Sequence, residues 1–446
     1  MQTPLDRRLF LKQGAALGTG LLLNRAALAE SESPQAAATA GGEKKPVRVG
    51  FVGIGKRGTS LVKTLLALEG IEIVAVCDII EDRVAAAQDW VVQAGQPKPT
   101  GYAQGDTDFK RMCETEELDV VMNAAPWHWH VPICVAAMEN GKHTATEVPA
   151  AVTVDECWQL VETAEKTGRH CVMTENCCYF RNAMMVLRMV REGLLGEMLH
   201  AEAGYQHYRI ANNVFDVDGN LLWCGEHESR RNGNLYPTHP VGPVGQWMNI
   251  NRGDQFDYLV SMSGVSRGLN LYAEKHFGPD HPLATREYAL GDINITLIRT
   301  VNGLTITLYH DTQAPRPYDL IYRAQGTNGL YMGTLDKIYI EGRSKPDQWE
   351  AIDAYIEAYE HPLWKALLSN ALGHGHGGAD FVMLYRLFET FRAGGPTDMD
   401  VYDAAAWSVI APLSEQSVAG RSRPVDFPDF TRGQWKTRAP LGIVHA

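Results

Sequence analysis

The sequence predicts an α/β protein in two parts: an N-terminal domain on a parallel sheet, then a C-terminal α+β domain with a largely antiparallel open sheet. Three observations predict it. Between residues 47 and 178 short apolar strands alternate with helical patterns, the rhythm of β–α–β units. The first strand runs directly into a glycine-rich turn, Gly53-Ile54-Gly55-Lys56-Arg57-Gly58. From about Tyr179 strands follow one another without intervening helices, which argues for antiparallel pairing.

Composition sets the outer limits. The chain has 446 residues, 41 Lys+Arg against 53 Asp+Glu, and a net charge of −12. Such a length calls for more than one domain, and the acidic balance argues against nucleic acid or an anionic membrane as partner. Eight cysteines without a C-x-x-C spacing are too few for a disulfide scaffold and are expected to stay reduced.

Residues 1–29 read as an address. Arg7-Arg8-Leu9-Phe10-Leu11-Lys12 carries the twin-arginine export pattern, and Ala27-Leu28-Ala29 offers a small-residue cleavage site. The apolar stretch between them, Ala15 to Leu23, is too short for a bilayer core of ~30 Å, so no membrane span is expected. The expected location is periplasmic or extracellular. Residues 30–46, rich in Ala, Gly and Ser, read as a flexible linker.

The first domain covers 47–178. Val47–Gly53 is a strand, Thr59–Leu68 a helix, and Ile71–Cys77 a second strand ending at Asp78. In this setting G-x-G-x-x-G marks a Rossmann dinucleotide-binding domain. Gly53 permits the turn, Gly55 lets backbone approach a pyrophosphate, and Gly58 allows close helix–strand packing. The helix N-terminus offers its unpaired N–H groups to the phosphates. Asp78 suits ribose hydroxyls and so NAD over NADP, whereas Arg57 is near enough to serve an additional phosphate.

The alternation then continues. Leu118–Ala125 is a strand ending at Pro126-Trp127-His128-Trp129-His130, with a helix over Val131–Asn140. Lys142–Thr146 is a strand ending at Glu147-Val148-Pro149. Thr153-Val154-Asp155-Glu156 is a capping box that opens a helix to Lys166. His170–Glu175 is a strand ending at Asn176. Three polar clusters thus fall at strand C-termini, the edge where open α/β sheets bind ligands.

The second domain, 179–446, has a helix at Asn182–Glu192 and strands near Met198–Arg209, Asp257–Ser263, Asn294–Thr300, Thr305–His310 and Leu320–Gly326. Helices at His376–Ala393 and Val401–Val418 close it. Tyr205 and His207, two apart in an alternating segment, are expected on one side of a strand. His374, His376 and Asp380 fall short of the four ligands of a structural zinc, and no metal is expected.

The N-terminal half resembles the glucose-fructose oxidoreductase and inositol dehydrogenase superfamily, which usually carries Glu-Lys-Pro where this chain has Glu147-Val148-Pro149. In that superfamily the lysine assists alcohol oxidation, and Val148 takes its place here. Over nearly the whole mature chain the sequence is more similar to glycoside hydrolase family 109, the NAD-dependent α-N-acetylgalactosaminidases. The stretches that carry this resemblance include Trp127–His130, Gly204–His207, Asn232–His239, Asn249–Asp254, Arg316–Tyr318, Gly373–Gly378 and Asp400–Ala404.

The resemblance implies NAD contacts at Lys56, Arg57, Asp78, Trp127, His128, Trp129, His130, Glu147, Val148 and Asn176, beside the turn glycines Gly53, Gly55 and Gly58. It implies a sugar site of Tyr205, His207, Tyr236, Pro237, Thr238, His239 and Tyr318, with His239, Tyr205, Tyr236 and Tyr318 catalytic. The family places an arginine after a tryptophan upstream of Tyr-Pro-Thr-His. Here Cys224 follows Trp223, with Arg230 and Arg231 as nearby replacements. The implied reaction is oxidation at C3 of the sugar, elimination of the aglycone, addition of water and reduction, on terminal α-linked N-acetylgalactosamine of glycans. His239 would take the 3-hydroxyl proton, and Tyr205 or Tyr236 would serve at C2 if a neighbouring cation lowers its pKa from ~10. No carboxylate pair is required. The alternatives are an NAD-dependent sugar or polyol dehydrogenase and a non-catalytic sugar- or NAD-binding protein. Sheets of this superfamily commonly pair between subunits, so a homo-oligomer is a possible assembly.

Overall fold

The structure, a computed structural model, describes residues 45–445. The export pattern and residues 30–44 of the linker lie outside the described residues.

Six parallel strands form the first sheet: β1 (Val47–Val52), β2 (Ile71–Cys77), β3 (Thr100–Tyr102), β4 (Val120–Asn123), β5 (His143–Thr146) and β6 (Cys171–Met173). Their order, β3-β2-β1-β4-β5-β6, reverses between β1 and β4, which creates a crevice at the strand C-termini. Strands such as β1 and β4 are apolar on both faces because helices cover both sides. The helix Val154–Thr167 starts with the expected capping box: Thr153 accepts from the Glu156 N–H, and Glu156 reaches back to the Thr153 N–H.

The second sheet has nine strands: β7 (Met198–Gln206), β8 (Phe256–Ser263), β9 (Asn294–Thr300), β10 (Thr305–Asp311), β11 (Arg323–Gly326), β12 (Gly329–Met332), β13 (Lys337–Ile340), β14 (Glu350–Ala351) and β15 (Val425–Asp426). Their order is β14-β13-β12-β11-β7-β10-β9-β8-β15. Pairing is antiparallel except between β7 and β10. Along β9 burial alternates strictly, so Ile298 faces the core while Ile295 and Leu297 face outward. The helices Arg181–Arg191 and Thr238–Trp247 pack together, the latter against β7.

The closing helices return to the first sheet. Ala379–Ala393 packs on the helix Lys56–Leu65, and Val401–Ser408 packs on β6 and the helix Val154–Thr167. The expected single helix Val401–Val418 is two, Val401–Ser408 and Ile410–Ala419. Pro412 has no N–H for the Ser408 carbonyl, which opens the ladder there.

Other boundaries shift for local reasons. Trp127–His130 are the first turn of the helix Trp127–Glu139 rather than a loop, because Pro126 is its N-cap. The strand expected from Leu320 starts at Arg323, since Ile321 (φ 65°) and Tyr322 (φ 33°) are left-handed. The strand expected to reach Arg209 stops at Gln206. The helix expected from His376 begins at Ala379 after a tight turn at His376–Gly378.

Candidate active site

The glycine turn fits a dinucleotide. Gly53 has φ 87°, and a Cβ there would lie 2.5 Å from the Ala125 N. A Cβ on Gly58 would meet the Gly53 carbonyl at 1.8 Å, so the helix sits against the turn more closely than any side chain allows. Gly55, at the helix N-cap, has nothing within 4 Å of its Cβ direction, leaving open space before the unpaired N–H groups of the first turn. Asp78 anchors this turn: Oδ2 accepts from the Ile54 N–H at 2.7 Å and Oδ1 from the Ile80 N–H at 3.0 Å. Each oxygen keeps a second acceptor position.

Arg57 is committed elsewhere than to an extra phosphate. Its guanidinium donates twice to Asp380, at 2.6 and 2.9 Å, and lies 3.0 Å from Glu147 Oε1. Asn176 Nδ2 donates to Asp380 Oδ1 at 2.8 Å, and His376 Nδ1 is 2.9 Å from Oδ2. Arg57 and His376 hold the Asp380 carboxyl well below its usual range, despite burial. The expectation that Arg57 is free for a 2′-phosphate is therefore corrected, and Asp380 is a brace between ends of the chain rather than a metal ligand.

Of the remaining nucleotide candidates, Lys56 and His128 are exposed beside the turn and helix start. Trp129 packs edge-on against Phe109 at 5.9 Å. His130 is buried with both ring nitrogens on carbonyls, Pro149 at 2.7 Å and Ala125 at 2.8 Å, so its ring braces the backbone around the cradle. Val148 is buried, and no lysine ammonium enters at this position.

The predicted sugar residues converge. Tyr205 stacks on Tyr236 with centroids 4.3 Å apart, and His239 lies 5.5 and 4.9 Å from their rings. His207 Nδ1 is 3.2 Å from Tyr205 Oη, and Tyr318 sits edge-on to His207 at 4.8 Å. Trp127 links this group to the first domain, 5.8 Å from Tyr236. Pro237 is the N-cap that turns the chain into the helix Thr238–Trp247, placing His239 in the first turn beside buried Thr238. Burial pushes the Tyr205 and Tyr236 phenols up and the His207 imidazole down.

Two partners of this cluster were not singled out from the sequence. Glu175, fully buried just past β6, sets Oε1 2.7 Å from His239 Nδ1. Its Oε1 also accepts from the Cys177 N–H at 3.0 Å. Glu175, Cys177 and His239 offer ligand atoms within 4.8 Å of one another, yet the His–Glu hydrogen bond already accounts for the arrangement. The other is Arg209, whose Nη1 donates to Tyr205 Oη at 3.2 Å and whose Nη2 donates to Cys224 Sγ at 3.4 Å. Arg231 forks onto Glu415 and Arg230 pairs with Glu226, so neither supplies the guanidinium expected near Cys224. The signals were thin: an acid one residue before Asn176, and an arginine two beyond His207.

The eight cysteines are buried free thiols. Burial pushes Cys224 up to about 12 and keeps it neutral beside Arg209.

A parallel sheet with a glycine-turn cradle, joined to a pocket of tyrosines and histidines, defines an NAD-dependent enzyme on an oxidoreductase fold. Residues 47–175 match the oxidoreductase family with an NAD-binding Rossmann fold, and residues 179–437 match the glycosyl hydrolase 109 C-terminal domain. A glycosyl hydrolase family 109 protein of Shewanella baltica (strain OS195) is 45% identical, with 99% of each chain covered. Another from Solibacter usitatus (strain Ellin6076) is 46% identical over 98% of this chain and 99% of its own. The chain belongs to glycoside hydrolase family 109 and is an NAD-dependent glycoside hydrolase. Among solved structures, levoglucosan dehydrogenase with NADH and L-sorbose shares the fold at TM-score 0.65 and 18% identity, covering 86% of this chain and 100% of that one. An inositol dehydrogenase homolog of Azotobacter vinelandii with NADH and myo-inositol does so at TM-score 0.63 and 20% identity, over 86% of this chain and 98% of its own.

Proposed function

We propose that the protein is an exported glycosidase that removes terminal α-linked N-acetylgalactosamine from glycans with no net redox change. The observation that carries the reading is the meeting of Tyr205, Tyr236 and His239 beside Trp127, which belongs to the nucleotide half. Bound NAD supplies reversible hydride exchange at C3 of the sugar. The chain supplies the proton traffic. His239, with Nδ1 on Glu175, presents Nε2 to take the 3-hydroxyl proton and later return it. The C3 ketone acidifies the hydrogen at C2. A tyrosine of the Tyr205–Tyr236 stack takes that proton as the C1–O bond breaks and the aglycone leaves, then gives it back when water adds at C1. Tyr318 and His207 border the reacting sugar. Val148, in place of a lysine, disfavours a simple dehydrogenase.

The twin-arginine pattern at Arg7-Arg8 supports export, a route that carries folded proteins with their cofactors loaded. The outer face of the second sheet exposes Met262, Ile295 and Leu297, which supports pairing of two copies through that face.

The test is incubation of the purified protein with an aryl α-N-acetylgalactosaminide and no added NAD. Aglycone release without accumulation of reduced nucleotide is expected. Reduced nucleotide accumulating alongside free sugar when NAD⁺ is added would overturn the reading in favour of a dehydrogenase.

A further inference from the structure

Arg209 is a cation without a counter-ion. Among the described residues no carboxylate pairs with it; Glu228, the acid facing it, instead accepts from Gln313 Nε2 at 3.2 Å. A guanidinium stays charged in a protein, and a charge withdrawn from water is costly unless another charge answers it. Its contacts are Tyr205 Oη and Cys224 Sγ, and its Cζ stands 5.9 and 5.6 Å from the ring centroids of Tyr205 and Tyr236. Of these, only the Tyr205 oxygen is both a hydrogen-bond acceptor of the guanidinium and part of the sugar cluster.

We propose that Arg209 is a positioning residue that selects Tyr205, not Tyr236, as the group taking the proton from C2. The proposal rests on the glycosidase reading above. The hydrogen bond from Nη1, already charge-assisted by the guanidinium, becomes an ion pair when Tyr205 is a phenolate, which favours that form. Among the described residues Tyr236 has no such donor, only the guanidinium over its ring face. In the step itself the C2–H bond breaks and its proton goes to the Tyr205 oxygen. The electron pair forms the C1–C2 double bond, and the C1–O bond breaks with its electrons on the aglycone oxygen. Water then bonds its oxygen to C1 as the Tyr205 proton returns to C2, and the proton that water loses ends on the released aglycone oxygen, so Tyr205 is left as the phenolate it began as. Arg209 keeps its proton throughout and holds the charge on either side of the transfer.

The groups facing Tyr205 are His207, Tyr236, His239, Tyr318, Cys177 and Cys224, and those facing Arg209 add Glu228 and His310. Burial pushes His207 down and His310 down to about 3, so neither is a cation at neutral pH. Arg209 opposes the upward push of burial on Tyr205.

Two measurements test the proposal, on wild type, Tyr205→Phe, Arg209→Met and Arg209→Lys. The first is ultraviolet difference titration of phenolate in the protein without substrate, where subtracting Tyr205→Phe isolates the Tyr205 ionisation. Arg209→Met is expected to raise it by at least about one pH unit and Arg209→Lys by less. The second is turnover of the aryl glycoside with exchange of the C2 hydrogen against deuterated water. Arg209→Met is expected to lower kcat and exchange together by about 100-fold with little change in KM. The acidic limb of its kcat profile should move up in pH, so the loss shrinks in alkali. An unmoved ionisation, an unmoved limb, or a loss confined to KM overturns the proposal. Should Arg209→Met fail to fold, Arg209→Lys decides, because full loss with an unmoved limb in that charge-keeping variant also overturns it. The substrate-free titration separates this outcome from failure of the glycosidase reading, which would show as no aglycone release by wild type.

Discussion

Glu175 Oε1 lies 2.7 Å from His239 Nδ1, inside the protein, at the junction of the last parallel strand and the first turn of a second-domain helix. A carboxylate there fixes the tautomer with the proton on Nδ1, leaving Nε2 as the acceptor, and stabilises the imidazolium once Nε2 is protonated. An amide in its place can turn its NH2 toward Nδ1 and enforce the opposite tautomer. Glu175→Gln is therefore expected to lower kcat on an aryl α-N-acetylgalactosaminide by about 100-fold or more, with KM nearly unchanged. Wild-type kcat in this variant would refute the pairing's role.

His239→Ala removes the base proposed for the 3-hydroxyl proton. Turnover should vanish while bound nucleotide, measured by absorbance after desalting, stays at the wild-type ratio, because no cradle contact is lost. Retained aglycone release would refute the assignment.

Asp380 ties Arg57 and Asn176 together across the nucleotide edge. Asp380→Asn keeps the shape but loses one of the two carboxylate charges, with that of Glu147, that hold Arg57. Nucleotide affinity is expected to fall about tenfold, the loss of one charged hydrogen bond. Nucleotide content after dialysis measures it, and unchanged retention would assign the bridge to folding alone.

Glu228 is a buried acid whose pKa burial pushes up to about 7, against the opposing pull of Arg209. Folding favours its protonated form, so its contribution to stability is full below its ordinary value and is lost as pH rises through about 7. Glu228→Gln should flatten this part of the Tm–pH curve, with a gain over wild type of roughly 3 °C at pH 8 relative to pH 4.5. Parallel curves for the two proteins would count against it.

Leu297 and Ile295 stand on the outer face of β9, half exposed. Leu297→Glu places a charge in the middle of that apolar patch and should shift the sedimentation coefficient from dimer or higher to monomer. A monomeric wild type would dispose of the assembly.

Much of the fold is written locally. The strand Ile71–Cys77 and the strand Asn294–Thr300 have the boundaries their patterns indicate, since each is an uninterrupted apolar or alternating run. The Thr153–Glu156 capping box needs only four neighbouring residues. The meeting of the residues expected at the sugar was legible through resemblance, and that of Tyr205 with His207 also through spacing, although the strand carrying them ends between the two. Arg209 looked like one more strand residue, because its significance lies in Cys224 and Tyr205 and not in its neighbours. Arg57 looked free because its partner is 323 positions away. Ile321 gives no local warning of a left-handed backbone, which β-branched residues seldom adopt, so only tertiary packing reveals it.

The Arg57–Asp380 bridge also bears on biosynthesis. A nascent chain that has emerged as far as β6 already has its glycine turn and Glu147, yet Asp380, the second carboxylate that holds Arg57, is still unmade. The helix Ala379–Ala393 must leave the ribosome before that side of the nucleotide edge closes. Domains generally fold from the N-terminus during synthesis, but here the nucleotide edge remains unfinished until about the last seventh of the 446-residue chain arrives. Nucleotide held firmly at this edge is thus a signature of a chain made at least through the helix Ala379–Ala393.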